Sequence, residues 1–385
     1  MGGVERIKAL VDEMFASGVG SAAAVSVGDR GSEVARIWQG TTRRVPTAGA
    51  PVDAHTWFDV ASLTKPIATV ACAMVLVGDN LIALDTPIRR WIGDAASTGT
   101  VAQLLGHAAG CAAHVEFFRR LQDAPPDDPR RALVSMAARE PATPPGAVAV
   151  YSDLGYIQLG AIIERVTDLP LEEAFEELVA GPLGLDARYA GPPEEEEVMG
   201  ARTRATTEVD EVEMTTELSG GVEAVAATEL DERGVVQGRV HDENAYFGGG
   251  VCGHAGLFAR IGDVATFAAA IVDTANDQPR GRLRPDVVRR FLAERAAPGA
   301  SWRLGWDTPS PTPGVSHAGD RWPREHAVGH LGFTGTSLWL DLANRRWVTL
   351  LTNRVHPTRA GASAEAIKAL RRGVNDAALA MLDGA

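Results

Sequence analysis

Trp57-Phe58-Asp59-Val60-Ala61-Ser62-Leu63-Thr64-Lys65-Pro66-Ile67-Ala68-Thr69-Val70-Ala71-Cys72-Ala73-Met74-Val75-Leu76-Val77 is the stretch that decides the fold. A strand-like run, 57–60, leads into Ser62-x-x-Lys65. The run 67–77 is apolar nearly all round, which marks a buried helix. Residues three apart on a helix share a face, so Lys65 is expected beside the Ser62 hydroxyl. A serine hydroxyl is a weak nucleophile until a neighbouring base takes its proton. A buried lysine can be that base, because desolvation disfavours its charged form. The helix N-terminus adds backbone N–H groups and a partial positive charge. The plainer alternative is a capping serine followed one turn later by a surface lysine.

Composition sharpens the choice. The chain has 385 residues, 37 basic and 50 acidic side chains and a formal charge of -13. Only Lys8, Lys65 and Lys368 are lysines; the other basic residues are arginine. Arginine stays protonated, whereas a desolvated lysine can give up its proton, so a lysine kept in such a chain is a candidate for acid–base work. The acid excess speaks against broad nucleic-acid binding. Cys72, Cys111 and Cys252 are far apart and odd in number, which suits buried thiols and not a disulfide framework or zinc knuckle. The N-terminus has scattered charges and no apolar signal core, and Arg6 stands where a myristoylation motif needs Ser or Thr. No apolar run of ~18 residues is read, so the expectation is a cytoplasmic protein with no membrane span.

Outward from Ser62, the apolar face Val4, Ile7, Leu10, Val11, Met14 and Phe15 predicts a helix over 4–16. SAAAVSVGD and EVARIWQG form a hairpin around Asp29-Arg30-Gly31. SLWLDL and RWVTLLTN form another around Ala343-Asn344, and an amphipathic helix spans 363–382. Residues 85–185 are mostly helical, with breaks at Ala124-Pro125-Pro126 and Pro144-Pro145-Gly146. Strands at both ends and helices between predict an α/β domain (α+β in type) from 1–80 and 250–385, and a mainly helical insertion, 81–249. Within it, 191–218 holds nine acidic residues against Arg202 and Arg204. It reads as a solvated acidic surface loop.

Two further motifs complete a site. Tyr151-Ser152-Asp153 leaves the Pro144-Pro145-Gly146 turn; a tyrosine near a cationic lysine can have a lowered pKa and act as a base. His330-Leu331-Gly332-Phe333-Thr334-Gly335-Thr336-Ser337 precedes SLWLDL, where glycines let a ligand approach the backbone and N–H groups can build an oxyanion hole.

This order, S-x-x-K, Y-S-D and H-L-G before a strand, resembles the serine β-lactamase and penicillin-recognising superfamily, whose signature is S-x-x-K, Y-x-N and K-T-G. The closest look is to its class C-like branch of carboxylesterases, D-aminopeptidases and acyltransferases. LLGHAAGC (104–111), PPGAVAVYSDLGY, GPLGLD (181–186), GHAGLF (253–258) and GHLGFTGTSLW (329–339) are also similar, so the likeness covers most of the chain. It implies a β-lactamase-like fold, an antiparallel sheet flanked by helices. It implies Ser62 as acylated nucleophile, Lys65 and Tyr151 sharing base and acid work, and an oxyanion hole from the N–H groups of Ser62 and Phe333. Asp153, His330 and Gly332 would face the substrate, with no cofactor or metal.

Two departures bear on the substrate. Asp153 stands for the usual Asn; facing Lys65, it would favour the ammonium and move the base role toward Tyr151. His330 stands for the Lys of K-T-G, and a neutral histidine is a weaker anchor for a carboxylate. The expectation is a serine hydrolase of small esters or amides, carboxylesterase-like, with weak or no β-lactamase activity. An acyltransferase or D-amino-acid peptidase on the same site is the near alternative, and a non-catalytic binding protein on the scaffold the distant one.

Other motifs fail their context. Gly248-x-Gly250-x-x-Gly253 follows no strand, so it is not a dinucleotide loop. Gly314-Val315-Ser316-His317-Ala318 lacks the buried strand of a nucleophile elbow. His241, Asp242 and Glu243 are adjacent and suit structural hydrogen bonds better than a metal. His107 and His254 are read as core or loop-anchoring residues.

Arginine at position 65 would keep the charge and never take a proton. Lys65→Arg is therefore expected to lose at least ~10² in kcat/KM on a p-nitrophenyl ester, measured beside a circular-dichroism spectrum that stays native.

Overall fold

The computed structural model describes residues 2–190, 218–360 and 363–384; the acidic loop expected at 191–218 lies outside them except for Leu218. In chain order the strands are β1 (Ala22–Asp29), β2 (Ser32–Gly40), β3 (Phe58–Asp59), β4 (Arg188–Tyr189), β5 (Leu230–Asp231), β6 (Gly234–Val235), β7 (Leu257–Ala259), β8 (Ala327–Leu331), β9 (Ser337–Asp341) and β10 (Arg346–Thr352). Five of them make an antiparallel sheet in the order β2-β1-β10-β9-β8. Both expected hairpins are present, and β1 joins them by pairing with β10, Ala24 opposite Leu351.

Apart from the largely exposed edge strand β2, the sheet is buried on both faces, so its strands alternate between two cores. Trp347 and Leu351 of β10, with Leu338 and Leu340 of β9, face a large cluster that includes Phe267 and Ile271 of the helix Ile261–Ala275. Val348, Leu350 and Trp339 face the other way, onto Ile7 and Val11 of the helix Gly3–Ala16 and Leu370 and Val374 of the helix Ser363–Leu382. Close packing of this kind leaves no room at Gly28, where a Cβ would lie 2.2 Å from the Trp347 ring.

β8 was not foreseen. AVGHL is short and holds Gly329 and His330, weak strand formers in isolation; pairing with β9 supplies what local propensity does not. His330 therefore lies within an edge strand, opposite Leu338, and the residues after it form the tight turn into β9.

The segment after Ser62 departs from the reading in one respect. Ala61–Gly78 is long and apolar enough by composition to cross a membrane, with a mean hydropathy of 1.6, although no such run was read from the sequence. Its window is 89% buried within the protein, which makes it the central core helix. It begins as a 3-10 turn, Ala61–Leu63, and winds as a π-helix over Lys65–Val70 before continuing as an α-helix, Ala71–Gly78. Such widened turns concentrate at functional sites.

The helix Asp153–Thr167 packs across this element and fixes the loop 252–254 between them. Thr69 Oγ1 donates to the Gly253 carbonyl at 2.6 Å, and a Cβ on Gly253 would lie 2.1 Å from the Tyr156 carbonyl oxygen. Gly248, where a Cβ would lie 2.5 Å from Leu133, and Gly253 thus serve close packing. Gly253→Ala forces backbone apart and is expected to cost about 2–3 kcal/mol, the upper part of the overpacking range, read as a lowered urea midpoint.

Candidate active site

Lys65 is the centre of the site and has no solvent contact. Its ammonium donates to Ser62 Oγ at 3.0 Å, Asp153 Oδ1 at 2.8 Å and the His254 carbonyl at 3.1 Å. Three donors meet three acceptors, which satisfies a charge that burial would otherwise make very costly. Burial works to discharge the lysine, but the carboxylate of Asp153, with Tyr151 second, outweighs it and raises the Lys65 pKa. Burial likewise opposes the Asp153 charge, and Lys65, then His114, hold that carboxyl well below the usual range. His114 Nδ1 lies 3.3 Å from Asp153 Oδ2.

Because Ser62 Oγ accepts from Lys65, its own proton is free to turn elsewhere. Tyr151 is the group placed to receive it: its hydroxyl interacts with both Ser62 and Lys65, and the Lys65 nitrogen stands 4.9 Å over its ring. The expectation of a lowered tyrosine pKa does not hold. Burial raises it, and Lys65 recovers only part of the shift, so Tyr151 rests as a phenol.

Local structure explains these placements. Ser152 caps the helix Asp153–Thr167 by accepting from Gly155 N–H, so Tyr151 and Asp153 flank a fixed helix start. Ala61 adopts φ +50°, a left-handed conformation costly for a residue with a Cβ, directly before Ser62. Its N–H donates to Asp59 Oδ1 at 2.8 Å, and Asp59 Oδ2 accepts from His241 N–H at 2.7 Å. Burial lifts the Asp59 pKa to about 6 despite those two donors.

The Gly332–Thr336 turn closes over Ser62. Thr334 Oγ1 donates to Asp59 C=O at 2.8 Å and Thr336 Oγ1 to Val60 C=O at 2.9 Å. A Cβ on Gly332 would lie 2.5 Å from the Val60 oxygen, so only glycine allows this approach. Among the described residues, the N–H groups of Ser62 and Phe333 have no protein acceptor. His330 is buried; its Nδ1 donates to Leu331 C=O at 2.8 Å, which leaves Nε2 a bare, unpartnered acceptor. Burial, reinforced by Lys65, drives its pKa down to about 3, so it is neutral as expected.

Residues 7–372 match the family model described as Beta-lactamase. The chain belongs to the beta-lactamase family. It is a serine hydrolase of that family with a β-lactamase-like fold. A curated protein of Escherichia coli (strain K12) named "Putative D-alanyl-D-alanine carboxypeptidase" is 28% identical over 319 residues, 78% of this chain and 70% of its own length. The octameric penicillin-binding protein homologue from Pyrococcus abyssi superposes with a TM-score of 0.68 at 19% identity, covering 99% of this chain and 77% of that one. EstCE1, described as a hydrolase with promiscuous acyltransferase activity, gives 0.65 at 19% identity over 97% of this chain and 98% of its own.

The beta-lactamase-family site thus gathers Ser62, Lys65, Tyr151, Asp153, His330, Gly332 and Phe333 in one place. A layer surrounds these groups, in which sequence reasoning missed Trp302 and the Asp242–His254 pairing. His107, itself at φ +58°, accepts from Ser152 N–H through Nδ1 and packs 4.7 Å from the Tyr151 ring. Trp302 lies 5.3 Å from Tyr151 and 5.4 Å from His330. His254, whose carbonyl holds Lys65, pairs its ring with Asp242 at 2.9 Å; Asp242 also caps the helix Glu243–Phe247. The anchoring reading of His107 and His254 fits these contacts, and no group of metal-binding side chains occurs among the described residues.

Asp153→Asn removes the group that keeps Lys65 charged and leaves burial dominant, so the Lys65 pKa is expected to fall. The Asp153 pairing stabilises the fold above the usual carboxylate pKa of 3.8 and is lost as pH drops below it. In the variant the alkaline limb of kcat/KM should move to lower pH, because Lys65 loses its ammonium sooner, and melting temperatures below pH 4 should lose part of their wild-type decline. Superimposable pH–rate profiles would rule out this charge pairing.

Proposed function

We propose that this protein hydrolyses small, uncharged esters or amides through an acyl-enzyme on Ser62. The observation that carries the proposal is the fully buried Lys65 ammonium bonded to Ser62 Oγ, with Tyr151 on the serine's free side. Ser62 Oγ attacks the acyl carbon as its proton passes to Tyr151 Oη, and Tyr151 passes its own hydroxyl proton to the leaving oxygen or nitrogen. The tyrosine never has to rest ionised, which suits its raised pKa. Lys65 remains an ammonium, contrary to the base role expected from the sequence, and stabilises the charge that develops on Ser62 and Tyr151; the loss expected of Lys65→Arg then rests on a guanidinium misfitting the cage of Ser62, Asp153 and the His254 carbonyl. The carbonyl oxygen is received by the N–H groups of Ser62 and Phe333. Water then repeats the exchange in reverse and releases the acid.

The neutral His330 favours substrates without an obligatory carboxylate. Other cations near the mouth are engaged: Arg359 pairs with Glu229 and Glu243, and Arg354 bonds Phe333 C=O and Ser363 Oγ. Exposed Val148, Val150 and Phe333 offer apolar contact to an acyl chain. The carboxypeptidase name of the 28% identical relative supports a second reading, cleavage of a D-alanyl amide on the same serine. The acyltransferase activity named for EstCE1 supports a third, in which an alcohol replaces water.

Mass spectrometry after a fluorophosphonate should show one adduct, on Ser62. Ser62→Ala should lower p-nitrophenyl butyrate turnover by more than ~10³ while the fold survives. A panel of esters, D-alanyl amides and β-lactams should rank the esters first; turnover unchanged in Ser62→Ala would sink the assignment.

A further inference from the structure

Arg371 belongs to the C-terminal helix Ser363–Leu382, far in sequence from Ser62, Lys65 and Tyr151, and is 95% buried. Among the described residues no carboxylate lies within ion-pair distance of it. Its guanidinium instead donates to three carbonyls of one turn: Gly332 at 2.6 Å, Thr336 at 2.8 Å and Gly335 at 3.2 Å. That turn carries the Phe333 N–H. The Gly332 carbonyl and the Phe333 N–H are the two ends of a single peptide unit. A donor on the carbonyl oxygen draws electron density through the peptide and strengthens the N–H at its other end, as hydrogen bonds in series polarise one another.

A structural clamp alone would not call for a charge. Gly332 N–H bonds Thr336 C=O, Gly335 N–H bonds Gly332 C=O, and two threonine hydroxyls tie the turn to Asp59 and Val60, so the backbone is already pinned. Burying an arginine without a counter-ion is expensive; burial, with nearby Arg354, brings its pKa down to about 9, still charged at neutral pH. The charge is positive, sits behind the turn, and faces the side opposite to Phe333 N–H.

Resting on the acyl-enzyme reading above, we propose that Arg371 is a positioning residue for the reaction, which polarises the Gly332–Phe333 peptide and makes the Phe333 N–H a stronger donor to the oxyanion. It touches no substrate. Its effect is on the transition state, where the carbonyl oxygen becomes negative, and not on ground-state binding.

The test compares an aryl ester with its thiono analogue, in which sulfur, a poor hydrogen-bond acceptor, replaces the carbonyl oxygen. Arg371→Gln should lower kcat on the oxo ester ~10-fold or more, a fraction of the ~10²–10³ for losing a whole donor, with KM within about threefold. The thiono rate should change little, so the oxo/thiono ratio collapses. Arg371→Lys, which returns a cation to the cage, should recover most of the ratio. The ratio does not depend on the folded fraction of enzyme, and Arg371→Lys remains as a test should the glutamine variant not fold. Its expected ratio is below wild type, because the ammonium on a shorter stem reaches fewer of the three carbonyls. A wild-type ratio in the folded variants overturns the proposal. Fluorophosphonate labelling of wild-type Ser62 separates the two claims: no adduct refutes the acyl-enzyme, whereas an adduct with an unchanged ratio refutes only the role of Arg371.

Discussion

A lysine ammonium with no access to water is the constraint around which the molecule is arranged. Such a charge persists only if every donor is answered, and the answers come from three distant parts of the chain: Ser62 of the 3-10 turn, Asp153 of a helix start and the carbonyl of His254 in a glycine-lined loop. Each of these segments must be held by something else. The capping serine fixes the helix start, Thr69 and the Gly160–Gly253 contact fix the loop, and the left-handed Ala61 fixes the turn. The local strain at Ala61 is tolerable because Asp59 and the core helix over-determine its position.

The chemistry of the site was legible where it is local. Ser62 and Lys65 are one turn apart, and the scarcity of lysine marks the second of them. Tyr151 and Asp153 straddle a helix cap. Those relations are written in short spacings and in the 3.6-residue period. The two outer hairpins and both terminal helices were legible for the same reason, since alternation and amphipathic faces are local patterns.

What escaped depends on contacts that no spacing encodes. The state of Tyr151 follows from how deeply the fold buries it, and burial reverses the expectation that a nearby cation sets. The Asp242–His254 pair, the ring of His107 and the indole of Trp302 are brought together from separate loops. β8 exists because β9 offers it an edge. Arg371 left a signal that could have been used: Ile367, Arg371, Val374 and Ala378 lie on one helical face, and an arginine within an apolar stripe is a buried charge in need of a reason.

The pairing of β1 with β10 bears on how the chain comes to be folded at all. Ala24 and Leu351 are neighbours in the sheet, yet more than three hundred residues separate them. During synthesis the β1–β2 hairpin emerges ahead of its partner and waits with an unpaired, apolar edge until β10 has appeared. Contacts of such long range close slowly and leave that edge open to other chains meanwhile. The serine and lysine lie next to this late-forming sheet, so a truncated or stalled product has the residues of an enzyme and none of its geometry. Activity in this design is a report that synthesis has passed β10.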